Sequence, residues 1–130
     1  MGEPVGPSEG RDTVTRLEIL QGTLDLLILR TLSGASKHGY QIASEIKASS
    51  RDVLQVEEGA LYPALHRLEA RGWIESSWGR SANKRRAKFY RLTPEGRASL
   101  KARARTWEAY VRAVGGVMNG LGSDVAEGAS

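Results

Sequence analysis

The sequence predicts a mainly α-helical fold with one small β-hairpin: three short helices, the hairpin and a long final helix. Three observations lead to this prediction. Apolar residues recur at helical spacing in three segments of the first half, and two β-prone segments then flank a basic loop. A capping sequence after these segments opens a long amphipathic stretch. The 130 residues have room for one compact domain with extensions.

The first helix is predicted to begin at Gly22-Thr23, where the threonine hydroxyl can cap free backbone N–H groups. Its apolar stripe consists of Leu24, Leu27, Ile28 and Leu32. Residues 33–39 break the pattern, and a second helix follows that ends near Ser49-Ser50. One side of this second helix carries Tyr40, Ala43 and Ile46.

The third helix is predicted from about Glu57 to Arg71, with Gly72 as its C-terminal stop. If it begins at Glu57, Pro63 removes an interior hydrogen bond, so a local bend or a start closer to Ala60 is expected. A buried stripe is formed by Leu61, Leu65 and Leu68, at positions i, i+4 and i+7. This stripe turns Gly59, Pro63, His66 and Arg67 outward, with Tyr62 on the flank.

The hairpin is predicted from two strands, Trp73 to Trp78 and Lys88 to Leu92. Residues 79–87 connect them, with a glycine and an asparagine supplying the turn. After the second strand, Thr93-Pro94-Glu95 provides an N-cap, a proline at the first helical position and a carboxylate in the first turn. The last helix is therefore expected to run from there to about Met118.

A heptad seam follows the last helix, because its apolar residues are spaced 4, 3, 4, 3 and 4 apart. The seam consists of Leu100, Ala104, Trp107, Val111, Val114 and Met118. So small a domain cannot cover the whole seam, and association with a second copy would bury it. The alternative is that the seam packs on the chain's own core. Gly115-Gly116 are expected to fray the helix end.

Positive charge is concentrated in the second half of the chain. Between Arg71 and Arg112 lie 12 of the 19 Lys and Arg residues and three Glu, a net charge of +9, whereas the whole chain has +4. Such a zone attracts a polyanion, although a solvated helix face is the alternative for its later members. Residues 1–15 and 119–130 are predicted to be flexible tails, which leaves a DNA-binding domain at 16–93 and a dimerisation helix at 94–118.

Three helices followed by a hairpin match the winged helix-turn-helix plan, whose third helix enters the major groove of double-stranded DNA. The predicted DNA contacts are Gly59, Ala60, Tyr62, Pro63, His66 and Arg67 on that helix, and Arg80, Lys84, Arg85, Arg86 and Lys88 on or beside the hairpin loop. The loop cations would bind phosphates, while Tyr62, His66 and Arg67 would reach base edges. Two alternatives remain: Tyr62 is half buried against the second helix, and Arg67 touches only phosphate.

Other function classes find little support in the sequence. The chain has no cysteine and two histidines, His38 and His66, in different elements, so neither a metal site nor a catalytic group is expected. No phosphate-binding loop, nucleophile elbow or dinucleotide fingerprint is present, and no cofactor is predicted. No apolar run approaches the length of a bilayer span, so a cytoplasmic protein without membrane contact is expected.

Four segments, in order across about Leu17 to Leu100, resemble the PadR-like transcriptional regulators. They are Gly22-Thr-Leu-Asp-Leu-Leu-Ile-Leu29, His38-Gly-Tyr-Gln-Ile42, Glu58-Gly-Ala-Leu-Tyr-Pro-Ala-Leu-His-Arg-Leu68 and Tyr90-Arg-Leu-Thr-Pro-Glu-Gly96. The resemblance implies a winged-helix homodimer, usually a repressor, of the short type that dimerises through one C-terminal helix. We expect it to bind a roughly palindromic operator with half-sites about one helical turn apart.

Some members of this family bind planar aromatic compounds near the dimer interface. Trp107 lies on the seam with Tyr110 nearby, so stacking of a small aromatic effector there is one hypothesis, and plain interface packing by Trp107 is the other. The rival to the whole interpretation is a winged-helix docking module that binds a protein through its last helix and lacks DNA specificity.

Overall fold

The computed structural model describes the backbone of residues 22–129 and the side chains of residues 22–120. In chain order the elements are α1 (Thr23–Thr31), β1 (Lys37–His38), α2 (Gly39–Ser49), α3 (Glu58–Ala70), β2 (Ile74–Arg80), β3 (Arg86–Leu92) and α4 (Pro94–Ala129). Four helices and a small antiparallel sheet form a winged-helix fold, as the sequence predicts. The predicted tail at residues 1–15 lies outside the described residues.

The core lies where α1, α2 and α3 meet the base of the hairpin. Its buried residues are Leu24, Ile28, Leu29, Leu32, Ile42, Ile46, Leu61, Ala64, Leu65, Leu68, Ile74, Tyr90 and Leu92. The predicted stripe of the third helix, Leu61, Leu65 and Leu68, is confirmed. On α2, however, Tyr40 is 76% exposed, and Gly39, Ile42 and Ile46 are the buried residues. Ile46 is thus buried as predicted and Ala43 packs partly buried against the core, whereas Tyr40 lies outside the apolar side of α2.

The sheet has the strand order β1-β3-β2, and all pairs are antiparallel. β1 was not predicted, because two residues are too few to show an alternating pattern; it pairs Lys37 with Tyr90 and His38 with Phe89. β2 and β3 extend to Arg80 and Arg86, beyond the predicted strand ends. The hairpin Ile74–Leu92, β2 and β3 with their turn, is called the wing below.

The wing has two faces with different surroundings, because side chains alternate along each strand. One face carries Ile74, Ser76, Trp78 and Arg80 opposite Leu92, Tyr90, Lys88 and Arg86. At its base this face buries Ile74, Tyr90 and Leu92 in the core. The same face therefore continues past the edge of the core with an indole and three cations.

The turn of the wing differs from the prediction. Gly79 lies inside β2, and the residue with left-handed backbone is Lys84, with φ of 66°. Asn83 contributes as predicted, through a side-chain oxygen that accepts hydrogen bonds from the Ser81 hydroxyl and the Arg85 amide. The two strands therefore continue to Arg80 and Arg86, and the chain reverses between these two residues.

Two helix starts use different caps. α1 begins after Gly22, whose φ is 91°, and has no side-chain capping bond, so the predicted threonine cap is wrong. α2 is capped by His38, whose Nδ1 accepts from the Gln41 amide at 3.3 Å while the Gln41 Oε1 accepts from the His38 amide at 3.0 Å. This reciprocal pair satisfies two backbone donors at the helix N-terminus.

α3 begins at Glu58, near the predicted start, and continues through Pro63. It stops as predicted at Gly72, whose φ is 79°. The Gly72 amide donates to the Glu69 carbonyl at 2.9 Å and the Trp73 amide to the Leu68 carbonyl at 3.0 Å. These two bonds form a Schellman motif, which turns the chain directly into β2.

The last helix, α4, starts as predicted. The Thr93 hydroxyl accepts from the Gly96 amide at 2.9 Å and donates to the Gly72 carbonyl at 2.6 Å. The helix runs to Ala129, past the predicted end at Met118, and includes residues 119–129, which were assigned to a tail. A helical glycine costs only about 1 kcal/mol relative to alanine, and no proline follows Pro94, so the glycines alone do not stop this helix.

Candidate nucleic-acid interface

The outward face of α3 is open to solvent, because the opposite side of the helix, with Leu61, Leu65 and Leu68, is buried in the core. Its exposed residues include Gly59, Ala60, Tyr62, Pro63, His66 and Arg67, which are the predicted contacts on this helix. Small residues at the start of the face permit close approach to another surface, and polar residues follow. The face therefore has the shape and chemistry that insertion into a DNA groove needs.

Tyr62 is anchored at one edge of this face. Its side chain is 45% exposed, and its ring lies on Gly39 at the start of α2. A β-carbon added at Gly39 would lie 2.7 Å from the Tyr62 hydroxyl oxygen and 3.2 Å from two ring carbons. The structure thus has the half-buried arrangement against the second helix, and the glycine at position 39 makes room for the ring.

Arg67 has a partner inside the domain. Its Nη2 donates to the Asp25 Oδ1 at 2.8 Å, and Asp25, on α1, is only 5% exposed. The arginine side chain is 42% exposed, so part of the guanidinium still faces solvent. A buried carboxylate without a cation would be costly, and Arg67 therefore ties α3 to α1 whatever else it contacts.

The wing carries six cations, five of them predicted DNA contacts, and its tip is held by hydrogen bonds. The Arg80 Nη1 donates to the Lys84 carbonyl at 3.1 Å, and the Ser81 amide donates to the Arg85 carbonyl at 2.8 Å. The Lys84 amide in turn donates to the Ser81 carbonyl at 2.8 Å. Arg80, Lys84, Arg85 and Arg86 are exposed, and Lys88 is half-buried. These charges are thus presented by an ordered turn.

A groove of about 820 Å³ separates α3 and the N-terminus of α2 from the wing. We call it the wing groove. It is lined by His38, Gly39, Tyr40, Gln41, Tyr62, His66, Trp78, Ser81, Ala82, Asn83, Arg85, Arg86, Ala87, Lys88 and Tyr90. The fold brings Tyr62, His66 and the wing cations Arg85, Arg86 and Lys88 to one concave surface. Arg67, Arg80 and Lys84 are not among its lining residues.

Two exposed aromatic residues of the wing groove, Tyr40 and Trp78, are absent from the predicted contacts. Trp78 is 58% exposed, and Arg86 and Lys88 lie over its ring. The alternation of side chains along the strands puts Trp78 on the same face as Arg86 and Lys88, and this signal could have identified it from the sequence. The exposure of Tyr40 could not have been found from the sequence, because helical spacing puts it on the same side as Ala43 and Ile46.

Tyr90 forms part of the groove floor. Burial raises the pKa of its hydroxyl above 10, and the Glu69 carboxylate and Tyr62 add smaller contributions in the same direction. Glu69 also accepts a hydrogen bond from the Ser76 hydroxyl at 2.7 Å, which joins α3 to β2. The Tyr90 hydroxyl on the groove floor is thus uncharged at neutral pH, while the wing side of the groove carries Arg85, Arg86 and Lys88.

The predicted dimer seam of α4 is divided between two environments. Leu100 is partly buried against the domain's own core, which is the alternative given for the seam, and its place in a dimer interface stays a prediction. Ala104 is half-buried. In the part of α4 whose side chains are described, the exposed large apolar residues are Trp107, Tyr110, Val111, Val114, Val117 and Met118. The Trp107 and Tyr110 ring centroids are 6.2 Å apart. Beyond its first turns, the helix therefore leaves an apolar face uncovered by the described part of the chain.

Within the described residues, no group of three or more His, Asp or Glu side chains could hold a metal ion. None of the helices in this part of the chain is long and apolar enough to cross a membrane.

The fold and the exposed basic surface define the class: a winged-helix transcriptional regulator. Residues 28–102, more than half of the chain, match the model of the "Transcriptional regulator PadR-like family". The chain belongs to this family. It is 37% identical over 97 residues to the transcriptional regulator Rv3488 of Mycobacterium tuberculosis, covering 75% of this chain and 87% of that protein.

Solved structures agree. A PadR family transcription regulator from Clostridium difficile is 30% identical with a TM-score of 0.62, covering 75% of this chain and 98% of that one. A transcriptional regulator from Clostridium thermocellum is 32% identical with a TM-score of 0.66, covering 72% and 88%. The members and neighbours of this family named here are transcriptional regulators rather than enzymes.

Proposed function

We propose that this PadR-like regulator is a homodimeric repressor that binds double-stranded DNA sequence-specifically through α3 and the wing. The observation that carries the proposal is the wing groove, in which the open face of a helix and three cations of an ordered hairpin share one concave surface. A DNA backbone is the natural occupant of a groove whose wing side is cationic.

The side chains divide into two roles under this proposal. Tyr62 and His66 point from α3 toward base edges, and the small residues Gly59, Ala60 and Pro63 let the helix approach them. The wing cations bind phosphates and set affinity and orientation without reading sequence. Arg67, which is held by Asp25, contacts DNA only with the part of its guanidinium that faces solvent.

Dimerisation is proposed through the exposed apolar face of α4. Trp107, Val111, Val114 and Met118 keep the heptad spacing and are all exposed in the single chain. A second copy that packs on this face would bury them and relate two copies of α3 by a twofold axis. Such a dimer fits a roughly palindromic operator with half-sites about one helical turn apart. Repression would follow from occupancy of that operator.

A small aromatic effector is proposed at the same face. Trp107 is 40% exposed and its ring is tilted by 31° against Tyr110, which leaves indole surface available for stacking. The test compares the wild type with Trp107→Phe. If the variant dimerises normally and no candidate compound changes the DNA affinity of either protein, Trp107 only packs at the interface.

The experiment for the main proposal measures DNA affinity by fluorescence anisotropy at several salt concentrations. Replacement of Lys84, Arg85 and Arg86 together by Ala should weaken binding to operator and random DNA alike and reduce the salt slope by up to about three. Tyr62→Ala should weaken operator binding selectively. Weak binding with little salt dependence in the wild type would favour the docking module and contradict the proposal.

A further inference from the structure

Trp78 has no role in the contacts assigned above, yet it lies among them. It is a large aromatic side chain, 58% exposed, at the middle of a two-stranded hairpin that projects from the core. Exposed tryptophan on a soluble domain removes little apolar surface from water, so its packing does not account for it. The side chains that lie over its ring are cations.

The two cations nearest to Trp78 are fixed by strand register. Lys88 is its direct cross-strand partner, and Arg86 lies two residues further toward the turn on the same face. The Arg86 Cζ lies 4.3 Å from the centroid of the indole ring, and the Lys88 Nζ lies 6.0 Å from it. Both distances are within the range in which a ring face attracts a cation, and Arg86 is the closer pair.

Among the described residues, ion pairing does not account for the placement of Arg86 and Lys88. The ion pair that the structure gives within the described part of the wing joins Arg91 and Glu75, at 2.6 Å on the opposite face. On the groove face, the described group that attracts these cations is the partly negative face of the neutral indole ring. A ring holds a cation without neutralising it, so the charge stays available to a phosphate.

We propose that Trp78 is a positioning residue for DNA binding, which holds Arg86 and Lys88 over the wing groove so that both cations meet the DNA backbone in register. The inference rests on the proposed DNA-binding function. An arginine side chain that is already ordered loses less conformational freedom when it binds phosphate than a free one does. The indole thus raises affinity for operator and random DNA equally.

The test is a double-mutant cycle in DNA affinity, with Trp78→Leu, Arg86→Ala and the pair. Trp78→Leu should weaken binding about two- to five-fold, the range that an exposed cation–π contact supplies. In the Arg86→Ala background the same substitution should cost clearly less, because its main partner is gone. Trp78→Phe keeps an aromatic face and should restore most of the affinity.

Arg91→Ala is the matched control, since it removes a cation from the same strand but from the opposite face. It should leave DNA affinity within about two-fold of the wild type. Thermal unfolding of each variant shows whether a loss of DNA affinity comes from a loss of stability. The Trp78→Phe variant shows whether the affinity depends on an aromatic ring or only on the size of the side chain.

Unchanged binding by Trp78→Leu, additive losses in the cycle, or equal losses for Leu and Phe would each overturn the inference while leaving the proposed function intact. Absence of DNA binding by the wild-type protein at every salt concentration would refute the proposed function, and the inference with it.

Discussion

The contact between Gly39 and Tyr62 gives the sharpest test of how the recognition surface is built. In Gly39→Ala the new β-carbon would lie 2.7 Å from the Tyr62 hydroxyl oxygen, and ordinary contact begins at 3.4 Å. The hydroxyl must therefore move by at least 0.7 Å, and the ring with it. Because the obstacle is the far end of a flexible side chain, we expect the free energy of unfolding to change by no more than about 1 kcal/mol.

DNA binding should respond more selectively than stability does. A displaced Tyr62 loses contacts to bases worth about 1 kcal/mol, which is roughly a five-fold loss of operator affinity. Under the proposed function, affinity for random DNA comes from the wing cations and should remain unchanged. Fluorescence anisotropy with operator and scrambled duplexes measures both quantities.

Tyr62→Phe provides the matched background. It removes the atom at 2.7 Å and leaves ring carbons at 3.2 Å, so Gly39→Ala should have a smaller effect there than in the wild type. Equal losses on operator and scrambled DNA, or no loss on either, would refute the idea that Gly39 positions a sequence-reading tyrosine.

Three further predictions concern stability and assembly. Gly96→Ala would place a β-carbon 1.8 Å from the Trp73 carbonyl oxygen, so the start of α4 must shift. We expect the free energy of unfolding, measured by chemical denaturation, to fall by about 2 kcal/mol or more. Gly116→Ala, whose added β-carbon has nothing within 4 Å, should cause no loss. Because burial raises the pKa of Tyr90, the stability that its neutral hydroxyl contributes is complete at neutral pH and is lost as the pH rises from 10 through the folded pKa. Between neutral pH and about pH 11, Tyr90→Phe should therefore lose less stability than the wild type. Equal losses in the two proteins would contradict this prediction. In analytical ultracentrifugation, Val111→Glu should convert the proposed dimer to a monomer without unfolding the winged helix. An unchanged dimer would exclude this face of α4 as the interface.

The parts of the fold that periodicity and capping specify were predictable from the sequence. Three leucines at helical spacing located the buried side of α3, and Thr93 and Gly72 marked a helix start and a helix end correctly. These signals are local, since a cap or a left-handed stop is satisfied within a few residues.

The parts that failed depend on contacts distant in sequence or on weak local signals. β1 exists only because two residues pair with β3, and neither length nor pattern indicates it. Leu100 fits the heptad of α4 equally well whether it faces a second copy or the core, and the structure places it on the core. Tyr40 shares helical spacing with Ala43 and Ile46, which contact the core, yet its own side chain is exposed.

The candidate interface was predictable in its composition but not in its arrangement. The sequence identified the basic loop and the outward face of α3, because both follow from spacing. It could not show that Asp25 holds Arg67 across 42 residues, or that Trp78 lies under Arg86. Such pairs become visible only when the fold brings the elements together.

The central claim, sequence-specific DNA binding by a dimer, is tested most directly by selection from genomic DNA. The purified full chain is incubated with sheared genomic fragments at moderate salt, and the bound fragments are recovered and sequenced. The account predicts enrichment of a few intergenic sites that share an inverted repeat with half-sites about one helical turn apart. No enrichment at any salt concentration would contradict it.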